Sequence, residues 1–140
     1  FDLIQYKSYY DKGQPPWTPA LSIIFALDKA LEQIIDEGME NVYTRHSSIA
    51  DQVRSGIKQI GLSLFPDISV ASNTVTAVKS PEGLDADMLR NQIQKNHGVV
   101  LAGGYGPQQG KIFRIGHLGY VNPKEIDETI DAIDLTLKSF

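Results

Sequence analysis

Cysteine is missing from these 140 residues. Within the chain, that excludes disulfides, thiolate catalysis and cysteine-ligated zinc. Positive charge is scarce too: 13 lysines and arginines stand against 17 aspartates and glutamates, a net charge of −4. No basic stripe or lysine-rich run appears, which argues against nucleic acid or an anionic membrane surface as partner. No apolar run approaches the ~20 residues needed to cross a bilayer, and no stretch has the pattern of a signal peptide. The expectation is a cytoplasmic protein with neither membrane nor nucleic-acid contacts. His46, His97 and His117 are isolated, without H-x-x-x-H or H-E-x-x-H spacing, so no metal site is expected. No serine lies in a G-x-S-x-G elbow and no G-K-[ST] closes a phosphate loop. Acidic groups such as Asp36 and Glu37, or Asp127, Asp131 and Asp134, fall where helix faces meet solvent. The chain therefore holds no complete catalytic set.

What is present concentrates in residues 101–120, LAGGYGPQQGKIFRIGHLGY, with glycines at 103, 104, 106, 110, 116 and 119. Glycine permits positive φ and close backbone approach, so the cluster marks a shaped loop. Gly104, Gly106 and Gly110 miss the dinucleotide spacing by one residue and lead towards a strand rather than a helix. After the loop comes an apolar strand containing one charge, Arg114. Alternation puts Ile112 and Arg114 on one face, Phe113 and Ile115 on the other. Such an arginine is either an exposed strand residue or a carboxylate binder, since its planar fork matches a carboxylate with two parallel hydrogen bonds.

At 41% hydrophobic and 21% charged residues, the composition is that of a globular protein, and the length suffices to bury about two-thirds of the unfolded surface. The chain begins with Phe1 rather than methionine, and Phe1-Asp2-Leu3-Ile4 shows no helix cap or turn signal, which suggests a fragment. A short aromatic lead with Tyr6, Tyr9 and Tyr10 runs into Gly13-Gln14-Pro15-Pro16-Trp17-Thr18-Pro19. The prolines there break regular structure. Thr18 stands where a helix N-cap precedes Pro19. Helices are predicted over 19–37 and about 40–60, with Gly38 and Gly61 as stops and His46 beside the second apolar stripe. Strands are predicted at 62–65, 74–79, 99–102 and 111–116. An Asp85-capped helix spans 86–96, and a helix opened by the Asn122-Pro123-Lys124-Glu125 capping box carries Ile126, Ile130, Ile133 and Leu137. The expected class is α/β (an α+β sandwich): a small, partly antiparallel sheet with helices on one face, preceded by two long helices.

The ordered set T-P (18–19), a long helix, G-x-E-N-x-x-x-R-H (38–46), G-L-x-L-F (61–65), T-V-T-A-V (74–78), G-G-x-G-P (103–107) and G-K-x-x-R-I-G (110–116) resembles the class V aminotransferases. Among these it is most similar to the alanine–glyoxylate and serine–pyruvate group, which uses pyridoxal 5′-phosphate. The resemblance implies the C-terminal small domain of a fold-type I enzyme over 19–140, with 1–18 a remnant of the large cofactor domain and its connecting loop. It implies ping-pong exchange of an amino group between a small amino acid and a 2-oxo acid such as glyoxylate or pyruvate. Arg114 matches the arginine that grips the substrate carboxylate. Thr18 matches a threonine that reaches the cofactor phosphate of the neighbouring subunit in a homodimer. The family often has tyrosine where Trp17 stands. No lysine here matches the Schiff-base lysine, which the resemblance puts upstream, so these residues alone should be inactive and should not hold the cofactor.

Two other assignments compete. One is an aminoethylphosphonate or phosphoserine transaminase of the same class, which needs extra clustered cations; a desulfurase lacks its cysteine nucleophile here. The other is a non-catalytic binding or dimerisation module.

Overall fold

The computed structural model describes residues 2–140; Phe1, the first residue of the predicted uncapped start, lies outside the described residues. Asp2 does cap a helix, contrary to expectation. Its side chain accepts from the backbone N–H groups of Ile4 and Gln5 at 3.1 and 3.0 Å, opening α1 (Leu3–Tyr10). A short carboxylate satisfies two of the orphan donors of the first turn and suits the helix dipole.

The chain divides into two units, one ending at Met39 and one covering Glu40–Phe140. In the first, α1 leads through a proline-rich loop to α2 (Leu21–Glu37). The Tyr6 and Trp17 rings meet edge to face, with centroids 5.5 Å apart. Thr18 does not cap α2. The helical hydrogen bonds start from the Ala20 carbonyl, and Ala20 is the cap residue. Pro19 disfavours helical backbone at the residue before it, which delays the helix. The predicted stripe of Leu21, Ile24, Leu27, Leu31 and Ile34 is present but exposed within this unit. Gly38, at φ +83°, ends α2.

In the second unit, α3 (Met39–Gln59), which starts at the last residue of the first unit, buries Val42, Ile49, Ala50, Val53 and Ile57 on one side. Next come β1 (Val75–Lys79), α4 (Ala86–His97), β2 (Ala102–Gly103), β3 (Ile112–Gly116) and α5 (Pro123–Leu137). The sheet runs β1-β3-β2 and both pairings are antiparallel, so the predicted mixed sheet is antiparallel throughout its named strands. Val78 faces Phe113 in the register, and both are fully buried. They pack with Ile49, Val53, Ile57, Leu89, Ile93, Ile126 and Ile133 from the three helices. Burying Phe113 alone contributes about 2–3 kcal/mol. A Cβ on Gly56 of α3 would stand 2.9 Å from Ile130 of α5, so this glycine lets the two helices approach closely.

Two predicted strands shrink. Residues 62–65 make an isolated bridge, Leu64 to Val78, before Pro66 stops the pairing. Of 99–102, Ala102 alone enters β2, because the Leu101 carbonyl is taken by the Arg90 side chain instead of a neighbouring strand. Asp85 caps α4 and the Asn122–Glu125 capping box opens α5, as expected. Among the described residues no helix is long and apolar enough to cross a membrane.

Candidate functional site

Arg114 occupies the middle of the central strand, opposite Ala77 on one side and Ala102 on the other. Both neighbours are small, so the half-buried guanidinium has room on the face away from the helices. Ile112 shares that face and is covered by the glycine loop: a Cβ on Gly104 would stand 2.9 Å from the Ile112 side chain. It would also collide with the Gln108 carbonyl oxygen, so the tight fold-back of the loop requires glycine there. The loop thereby lies over the outer face of β3, beside Arg114.

The guanidinium is held at one edge and one face. Its Nε–H donates to the Gly103 carbonyl at 2.9 Å. Its carbon lies 4.8 Å from the centroid of the Tyr105 ring, in cation–π geometry. No carboxylate among the described residues pairs with it, and its two terminal amino groups have no intramolecular acceptor there. Its geometry suits a planar anion bound through two parallel N–H···O bonds.

Thr18 belongs to the N-terminal unit, in the open depression of Gln14, Pro15, Pro16, Trp17, Thr18 and Pro19. It is exposed, and its hydroxyl has no hydrogen-bond partner among the described residues. Trp17 is half-exposed.

Several residues gained no role from sequence. Arg90 of α4 donates from Nε to the Leu101 carbonyl at 2.7 Å and from Nη1 to Asp87 Oδ1 at 2.6 Å. His117 is buried, with Nε2 2.9 Å from Thr76 Oγ1 and Nδ1 without a partner of good geometry. Burial, reinforced by the positive charge of Arg54 and by His46, holds its pKa below the ordinary 6.5, against an opposing pull from the Asn73 backbone. Position was the available signal: His117 continues the inward parity of Phe113 and Ile115. His46 is the packed residue its position predicts, half-buried with Nδ1 2.8 Å from the Val42 carbonyl. No cluster of potential metal ligands occurs among the described residues.

No protein-family model matches the chain. Individual proteins do. An uncharacterized aminotransferase of Methanocaldococcus jannaschii is 40% identical over 138 residues, 98% of this chain and 36% of that protein. A protein named soluble hydrogenase, small subunit, of Synechococcus is 37% identical over 97% of the chain and 35% of its own length. Pyridoxamine–pyruvate transaminase of Mesorhizobium japonicum is 39% identical over 84% of the chain and 30% of its own length. Among solved structures, the ureidoglycine–glyoxylate aminotransferase of Bacillus subtilis superposes with TM-score 0.89 at 30% identity, over 99% of this chain and 36% of that one. The chain spans about a third of the length of the curated relatives it matches. With the motif order of the sequence and the loop-and-strand geometry around Arg114, these likenesses identify the chain as belonging to the class V aminotransferases.

Proposed function

We propose that residues 19–140 are the C-terminal small domain of a pyridoxal-phosphate-dependent transaminase, with 1–18 a remnant of its large domain and connecting loop, and that Arg114 binds the α-carboxylate shared by amino-acid donor and 2-oxo-acid acceptor. The observation that carries the proposal is the guanidinium fixed through Nε and Tyr105 with both terminal amino groups uncommitted. A small amino acid such as alanine or serine is the proposed donor, and glyoxylate or pyruvate the proposed acceptor. Relatives named for glyoxylate and pyruvate support that choice. Arg90, the other arginine against the loop, is committed to Asp87 and Leu101, so it adds no open guanidinium for a phosphonate or phosphate substrate.

Thr18 fits a phosphate contact, since its exposed hydroxyl is unengaged and can donate to a phosphate oxygen. We assign it to the cofactor of the partner subunit in a homodimer. The lysine that anchors the cofactor would come from the remaining two-thirds of the protein, so the 140 residues alone are expected to be inactive. The cofactor, when bound, supplies the electron sink for chemistry at the substrate Cα. Arg114 contributes orientation: two hydrogen bonds to one carboxylate fix the rotation of the Cα substituents, as proximity catalysis requires.

Arg114→Ala in the full-length protein should raise KM for amino donor and oxo acid about 30- to 150-fold, the loss expected when one partner of a hydrogen-bonded charge pair is removed. Arg114→Lys should recover only part, because an ammonium cannot form the two parallel bonds. Steady-state kinetics with alanine or serine against glyoxylate or pyruvate test this. An unchanged KM in the alanine variant refutes the assignment.

A further inference from the structure

We propose that Arg90 is a positioning residue for the Arg114 guanidinium, an inference that rests on the carboxylate-binding reading of Arg114. Arg90 lies in the second turn of α4 with its side chain 24% exposed. Its fork bridges two different acceptors, the Leu101 carbonyl and the Asp87 carboxylate. That ties the backbone entering β2 to the helix, and a lysine could not span the two acceptors with one planar group.

The next step is steric. A Cβ on Gly103 would stand 2.9 Å from Arg90 Nη1 and 2.9 Å from Asp87 Oδ1, so the ion pair rests directly against the Gly103 backbone. The Gly103 carbonyl in turn accepts the Arg114 Nε–H. The line of contact runs from Asp87 to Arg90, to residues 101–103, and to the guanidinium. The far end of the glycine loop is tied to the same helix, where the Ala86 N–H donates to the Gly110 carbonyl at 2.8 Å. The Asp85 carboxylate lies where a Cβ on Gly110 would come within 2.5 Å. The first two turns of α4 thus clasp both ends of the loop, and Arg90 sets the end that carries the Arg114 acceptor. Binding constellations need their groups held to within about 0.5 Å. A drift of the Gly103 carbonyl would rotate the terminal amino groups that meet the substrate.

The test uses the full-length protein and propionate, a carboxylate that cannot react, with binding read by calorimetry and by competition against the amino donor. Arg114→Ala should abolish competitive propionate binding. Arg90→Gln should weaken it about 3- to 10-fold, the worth of one misplaced charge-assisted bond, and should raise the donor KM by more than it lowers kcat. Combined with Arg114→Ala, Arg90→Gln should raise KM no further, because it acts through the guanidinium. A merely structural residue would lower thermal stability and the active fraction while leaving propionate affinity alone. Wild-type propionate affinity in Arg90→Gln, with binding lost in Arg114→Ala, overturns the role of Arg90 and leaves the carboxylate site standing. Equal weakening in both backgrounds also overturns it. Propionate binding that survives Arg114→Ala removes the carboxylate site and this inference together. Should Arg90→Gln not fold, Asp87→Asn keeps the side-chain shape and drops the ion pair. It should raise the donor KM about twofold, and no change there overturns the proposal.

Discussion

Arg54, with its side chain only 12% exposed, and the half-buried Arg114 are arginines of the same unit that use their guanidinium groups in opposite ways. Arg54, on α3, commits both terminal amino groups: Nη1 to Asp51 Oδ1 at 3.3 Å, and Nη2 to the Ser72 carbonyl at 2.8 Å and Asn73 Oδ1 at 3.1 Å. It staples a helix to the segment before β1. Arg114 is held by Nε and a ring face, and keeps its terminal pair open. The difference separates a fork used to close the fold from one whose terminal donors stay uncommitted, as the proposed carboxylate site requires.

The sharpest break of that comparison is a pair of alanine variants in the full-length protein. Arg114→Ala should produce the large KM effect given above with a stability loss below about 1 kcal/mol, since it removes one hydrogen bond and leaves no buried partner charge. Arg54→Ala should do the reverse. It removes the charge-assisted hydrogen bonds of a side chain only 12% exposed, together with the packing of its stem, at a cost of about 2–3 kcal/mol in urea unfolding. The KM of the surviving folded enzyme should stay within about twofold of wild type. If the KM effects exchange places, the division of labour between the two arginines is wrong.

A second difference lies in what each arginine does to its surroundings. Burial keeps His117 neutral, helped by the charge of Arg54 and by His46, while Thr76 takes one ring nitrogen and the Asn73 backbone pulls the other way. The folded-state pKa of His117 is lowered, so below 6.5 the unfolded chain binds the proton first. Stability from this group is present above 6.5 and is lost as pH falls from there through the folded-state value. Urea midpoints measured from pH 7.5 to 5 should therefore fall on acidification. His117→Gln should flatten that part of the slope, and an unaltered slope in the variant would show that other groups set it.

Much of this arrangement was legible in residue order, and the remainder depends on contacts that order does not encode. Period-two alternation placed Ile112 and Arg114 on the face opposite Phe113 and Ile115, and the glycine run marked the loop beside them. The same alternation reaches His117, but a search for ligand spacings passes over a lone inward histidine. The capping box at Asn122 and the cap at Asp85 are local patterns and came through intact. Asp2 was missed although it is an equally local cap. The period of α2 revealed a helix, yet no periodicity reveals what covers its stripe, which is exposed within its own unit. The Arg90 clasp was illegible for a related reason. It joins a helix to a backbone carbonyl eleven residues away, and nothing in sequence separates Gly103 from the five glycines near it.

The smallest expected effect isolates the ring beneath Arg114. Tyr105 is 79% exposed, so its ring buries little surface and adds little to the fold. Its remaining contribution is the cation–π contact at 4.8 Å, about 0.5–1 kcal/mol at an exposed site. That contact keeps the guanidinium plane from turning about the Nε bond to Gly103. Tyr105→Leu should then weaken carboxylate binding about two- to fivefold, seen in KM for both substrates alike because both share the carboxylate. Tyr105→Phe retains the ring and should bind as wild type does. A loss in the phenylalanine variant equal to that in the leucine variant would assign the effect to the phenol hydroxyl. Arg114 would then be held through Nε alone, closer to a flexible exposed arginine than to a docked fork.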